Sequence, residues 1–131
     1  MCKQIYIATN GAVDRIIDGL FVVNGIKTPP SELAVERNEY AYQIVCGGMC
    51  ACDFFDDGKK IHLNDLLRKK IRVINENATI TKIYIYETDD TSFLTKEVTT
   101  DDIDNVLSEW RGNYLYKIKR DYKEYRKNGT L

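Results

Sequence analysis

Long hydrophobic runs are missing from this chain. No window of its 131 residues supplies the ~18 consecutive apolar side chains of a membrane-spanning helix, so no span is expected. Histidine is almost missing too, with His62 alone. One histidine excludes a His-Glu-x-x-His metal motif, and a Ser-His-Asp triad would have to use His62, with no serine in a nucleophile-elbow context. Neither a Gly-x-Gly-x-x-Gly fingerprint nor a phosphate loop is present. Net charge is only −1, so no global field recruits nucleic acid or a membrane surface. The opening stretch Met1 to Thr9 lacks the charged, apolar and small-residue segments of a secretory signal. A cytoplasmic address is expected, where thiols are kept reduced and a structural disulfide is disfavoured.

What is present fits one folded unit. The length suits a single domain over 1–131, able to bury roughly two-thirds of the surface of its unfolded chain. Apolar residues make up 44% and charged residues 30%, which excludes broad disorder. Charge is blocked: Lys59 to Arg72 is basic, Glu87 to Glu109 acidic and Arg111 to Lys127 basic again. Such blocks read first as solvated faces that attract one another.

Alternating apolar residues predict strands at Lys3–Thr9, Leu20–Val23, Tyr40–Cys46, Met49–Phe55, Thr79–Glu87 and Tyr114–Arg120. Along Thr79–Glu87, Ile80, Lys82, Tyr84 and Tyr86 are expected on one face, and Thr81, Ile83 and Ile85 on the other. Phe93–Val98 is expected to pair with that strand after a turn at Asp89-Asp90-Thr91. Asn24-Gly25 suits a hairpin turn leading to a partner at Ile26 and Lys27. Asn10-Gly11, Gly47-Gly48 and Asp56-Asp57-Gly58-Lys59 read as turns, and Thr28-Pro29-Pro30-Ser31 as a loop. Leu33–Arg37 reads either as a strand or, from Ser31, as a helical turn. Helices are expected at Ala12–Asp18, at Asn64–Ile71 with Asn64 as cap, and at Thr100–Trp110 with Thr100 as cap, ended by Arg111-Gly112-Asn113. The fold class is therefore α+β, a mainly antiparallel sheet with two or three short helices and an end that frays from about 121.

The run Cys46-Gly-Gly-Met-Cys50-Ala-Cys52 carries the most distinctive chemistry. On a strand, Cys50 and Cys52 would present their sulfurs on one side. Gly47-Gly48 would let the chain fold back towards Cys46, and Cys2 would lie close if the first strand neighbours this hairpin. Four thiolates, Cys2, Cys46, Cys50 and Cys52, can make a tetrahedral zinc site, with His62 as a substitute for one of them. The spacing differs from the usual pair of Cys-x-x-Cys knuckles. The plain alternative is packing, because free cysteine behaves as a small buried hydrophobe. A third reading is nucleophilic: if Met1 is removed, the α-amine of Cys2 can act as base for its own thiol. N-terminal nucleophile amidotransferases also begin Met-Cys, but glycine follows there and Lys3 follows here.

Met1-Cys2, the strand Ile5-Tyr6-Ile7-Ala8-Thr9-Asn10, Tyr40, Tyr42, Cys50, Cys52 and Phe54 together resemble a group of small uncharacterised bacterial proteins with a Met-Cys start and a Cys-x-Cys motif. The likeness covers about the first 55 residues of the 131. The group has Gly-Cys-Gly-Cys-Gly where this chain has Met49, Ala51 and Asp53, and Cys46 lies outside the pattern. The resemblance implies no activity; it implies that Cys2, Cys50 and Cys52 form one set.

Asp53, Asp56 and Asp57, like Asp89-Asp90, read as solvated turns because no calcium-loop pattern accompanies them. Tyr114, Tyr116, Tyr122 and Tyr125 alternate with Lys117, Lys119, Arg120, Lys123, Arg126 and Lys127. Rings and cations in that order suit nucleic acid, or equally an edge strand protected by lysines. The expected function is a small cytoplasmic binding or accessory protein with a structural zinc–thiolate site and a protein partner. The alternatives are a thiol enzyme using Cys2 or Cys50, and an interaction module using the C-terminal stretch.

Overall fold

The computed structural model describes residues 2–47, 50–55, 61–87, 92–108, 110 and 112–119. Seven strands are formed: β1 (Lys3–Thr9), β2 (Ile16–Asp18), β3 (Phe21–Gly25), β4 (Tyr40–Cys46), β5 (Ile80–Glu87), β6 (Leu94–Thr99) and β7 (Tyr114–Lys119). They make one sheet in the order β2-β3-β4-β1-β5-β7-β6. Neighbours run antiparallel except β6 and β7, which are parallel. Helices are α1 (Ile61–Ala78) and α2 (Ile103–Ser108). The class is α+β as expected, with a larger and partly mixed sheet and one long helix rather than only short ones.

The sheet divides its side chains as strand periodicity requires. Ile5, Ile7, Phe21, Val23, Ile44, Ile83 and Ile85 face the helices, where Leu63, Leu67, Ile71 and Ile74 of α1 and Ile103, Val106 and Leu107 of α2 close the main core. Leu63, Leu67, Ile71, Ile74 and Ala78 recur at three- and four-residue spacing, which puts them on one stripe of the helix. The opposite face holds Ala8, Ala41, Tyr84 and Leu115, partly covered by Leu33 and Val35. Tyr6, Tyr84 and Tyr86 stack there, the last two with centroids 4.7 Å apart. Burial pushes the Tyr6 phenol up to about 12, and its hydrogen bond to Tyr86 adds to the rise.

On this face β5 also carries Lys82, whose ammonium lies 2.9 Å from the Glu39 carboxylate, with both side chains nearly buried. Burial alone would raise the Glu39 carboxyl. Hydrogen bonds from Thr81, Lys82 and the Glu36 N–H, with the Lys82 charge, outweigh it and hold the group below its usual value.

Several elements differ from expectation. Ala12–Asp18 is not a helix: Ile16–Asp18 is the edge strand β2, paired with β3 around a turn at Gly19 and Leu20. Gly19 has φ +59, a left-handed conformation natural to glycine. The hairpin turn is therefore there and not at Asn24-Gly25, and β3 pairs next with β4 rather than with Ile26 and Lys27. Ser31–Leu33 is a 3-10 turn, and 34–37 is not strand. Asn64 does not cap α1; it lies inside it, buried, donating to the carbonyls of Phe54 at 2.9 Å and Leu107 at 2.7 Å. β6 pairs with β7 and not with β5. Thr100 caps no long helix: a 3-10 turn over Thr100–Asp102 precedes the short α2, and Trp110 stands beyond it. A register shift between Ala8 and Thr9 turns Ile80 to the helix side, away from Lys82 and Tyr84.

The chain leaves α1 through Thr79, a β-branched residue at φ +54. Gly11 passes over this helix end, its N–H donating to the Ala78 carbonyl at 2.9 Å. A Cβ on Gly11 would sit 3.3 Å from the Ala78 Cα. No helix among the described residues is long and apolar enough to cross a membrane. The turns expected at 56–59 and 89–91, Gly48, Met49, Arg111 and the end expected to fray from about 121 lie outside the described residues.

Candidate thiol site

The cysteines gather at one end of the three central strands. β1 begins at Lys3, directly after Cys2, and β4 ends at Cys46, which is in register with Phe21 of β3. The Gly47 N–H then donates to the Leu20 carbonyl, and the Cys46 N–H donates to the Cys50 carbonyl at 2.8 Å. The returning segment is held against β1 from both sides of one residue. The Ala51 N–H donates to the Lys3 carbonyl at 2.8 Å, and the Lys3 N–H donates to Cys52 Sγ at 3.2 Å.

Cys50–Cys52 is not the return strand expected. Cys52 opens a 3-10 turn over Cys52–Phe55. The two sulfurs nevertheless come together, the Cys50 thiol donating to Cys52 Sγ at 3.1 Å. Ala51, fully buried between them, and Phe54, packed on Phe21 with centroids 6.1 Å apart, root the segment in the core. Asn64 holds its far end through the Phe54 carbonyl.

All four cysteines are half-buried and none is disulfide-bonded. Cys46 packs against the main core. Cys2 is tied to the pair through its neighbour Lys3. His62 lies exposed in the first turn of α1. Among the described residues no three His, Cys, Asp or Glu side chains are grouped so as to hold a metal ion. The structure thus brings Cys50 and Cys52 into contact, and connects Cys2 and Cys46 to them through the main chain.

Burial pushes the Cys52 thiol up, and its bond to Cys50 and the charge Cys50 can carry push further; the Lys3 N–H and ammonium oppose them without prevailing. The Lys3 ammonium is kept near by Trp110, whose ring centroid is 5.3 Å from Nζ. Trp110 in turn meets Phe55 edge-on at 5.5 Å.

Lys3 and Trp110 escaped the sequence reading. Nothing local marks either one, because their partners are far away in the chain. The same holds for the Glu39–Lys82 pair. Of the C-terminal aromatic and basic residues, Tyr114 and Tyr116 turn towards the main core, while Lys117 and Lys119 are exposed; the residues from Arg120 onwards lie outside the described set. Comparison with models of protein families, with curated proteins and with solved structures found no match to this chain.

Proposed function

We propose that the protein is a small binding or accessory protein whose chemistry is a metal–thiolate site centred on Cys50 and Cys52. The contact between the two sulfurs carries this reading: vicinal thiols on a buttressed turn form a ready pair of soft ligands, suited to zinc. Cys2 and Cys46 are the thiols whose main chain is already tied to that segment, and they complete a four-sulfur shell. The raised Cys52 thiol argues for a ligand rather than a nucleophile. A catalytic cysteine needs a lowered pKa, whereas a metal deprotonates its thiol ligand outright. The role is structural, the compartment is the cytoplasm, where the thiols stay reduced, and the partner is another protein rather than nucleic acid.

Elemental analysis of protein purified without a histidine tag or added metal tests the reading, with thiol alkylation followed by mass on the same sample. About one zinc per chain, with alkylation blocked until a chelator is added, is the expected result. Metal-free protein whose thiols alkylate at once would remove it. Selective labelling of Cys2 or Cys50 would favour the thiol-enzyme alternative instead.

A further inference from the structure

We propose that Cys50 and Cys52 also form a two-electron redox couple, closing to an intramolecular disulfide by exchange with a low-molecular-weight disulfide. The proposal shares its two sulfurs with the metal reading but does not need the metal.

The sulfurs are 3.1 Å apart, and a disulfide bond measures about 2.0 Å, so closure asks each sulfur to move by a fraction of an ångström. The pair is half-buried rather than sealed, which leaves a path for a small reagent. The backbone is already set for the closed form. The Ala51 and Cys52 contacts to Lys3 and the buried Phe54 fix the turn from which both thiols project.

In the reaction, the Cys50 thiolate attacks one sulfur of the small disulfide. This forms a mixed disulfide and releases one small thiol. The Cys52 sulfur gives its proton to solvent, attacks Cys50 Sγ and expels the second small thiol. The protein dithiol loses two electrons and two protons, and the small disulfide becomes two thiols. Closing the bond removes both thiolates as metal ligands, so any bound metal is released in the same step.

The test equilibrates the chain as purified with reduced and oxidised glutathione in varied ratio, then quenches with acid and reads intact mass and peptide fragmentation. Metal content is measured separately in the same samples. The expected product has lost two hydrogens, carries no glutathione, and resists fragmentation between Cys50 and Cys52. Cys52→Ser should stop at the mixed disulfide, with one glutathione on Cys50. Chains that keep all their hydrogens, that carry glutathione on both cysteines, or that link either one to Cys2 or Cys46 would overturn the couple. These readouts hold with or without metal, so failure of the metal reading leaves the couple standing and the reverse is equally visible.

Discussion

Lys3 and Cys52, far apart in sequence, are joined by a hydrogen bond from the Lys3 main-chain N–H to the Cys52 sulfur, 3.2 Å long. The bond belongs to the backbone of β1, so no side-chain substitution at Lys3 removes it. The ammonium of Lys3 contributes separately, by charge. Lys3→Met should therefore leave the fold intact and raise the Cys52 thiol further. Thiol alkylation rates against pH should shift to higher pH in this variant, and an unchanged profile would show that the charge is screened.

Phe54 supports the turn that presents the thiols. Phe54→Ala should destabilise the fold by about 3–5 kcal/mol, the usual cost of removing a buried ring. Urea unfolding measures the loss. Alkylation of Cys50 and Cys52 in native buffer should quicken in parallel, because their anchor is gone.

Asn64 satisfies two carbonyls, those of Phe54 and Leu107, from inside α1. Asn64→Leu leaves both in an apolar surrounding, at about 1–3 kcal/mol for each unsatisfied group. Asn64→Asp should cost at least as much, since a carboxylate has no proton to donate. Equal stability of all three chains in urea would refute the bridge.

The Glu39–Lys82 pair makes stability depend on acid. The folded carboxyl lies below its ordinary value of 4.5, so the unfolded chain binds the extra proton. Its contribution is full above pH 4.5 and is lost as pH falls through the lower folded value. Glu39→Gln should flatten that limb of the stability–pH curve. Lys82→Met, which strands a nearly buried carboxylate, should cost about 3–5 kcal/mol at neutral pH, and the double variant should recover part of it.

Tyr6 makes the opposite test at the alkaline end. Its phenol ionises at about 12, so tyrosinate absorbance should show a late-titrating group that Tyr6→Phe abolishes. The folded value lies above the ordinary 10.0, so the stability this group contributes is lost as pH rises from there to 12.

Strand cores were legible because period-two alternation is a local signal: Tyr40–Cys46 was read with its observed limits, and β1, β5 and β7 nearly so. Pairing was not legible. β6 lies beside β7 because the connection through α2 returns the chain parallel, and no residue in Leu94–Thr99 announces that. Ile16 and Ile17 mimic a helical stripe, yet they lie on an edge strand whose partner is set by the Gly19 turn. Asn64 shows the converse failure. Its type suits a cap, but α1 starts earlier and the amide is used for tertiary bonds. At the site, the cysteine spacing pointed to the right residues for the wrong local reason, since a 3-10 turn rather than a strand brings Cys50 and Cys52 together.

The position of β1 has a consequence for synthesis. The first strand to be made is the middle one of the finished sheet, flanked by β4 and β5. At ~5–20 residues per second, its second neighbour is completed roughly 4–16 s after β1 itself is translated. Through that interval Ile5 and Ile7 have no sheet to join, so this chain cannot settle strand by strand as it leaves the ribosome. It must wait with its future centre uncovered, and conditions that slow elongation between Cys46 and Glu87 should lower the yield of folded protein more than the same delay placed after β5.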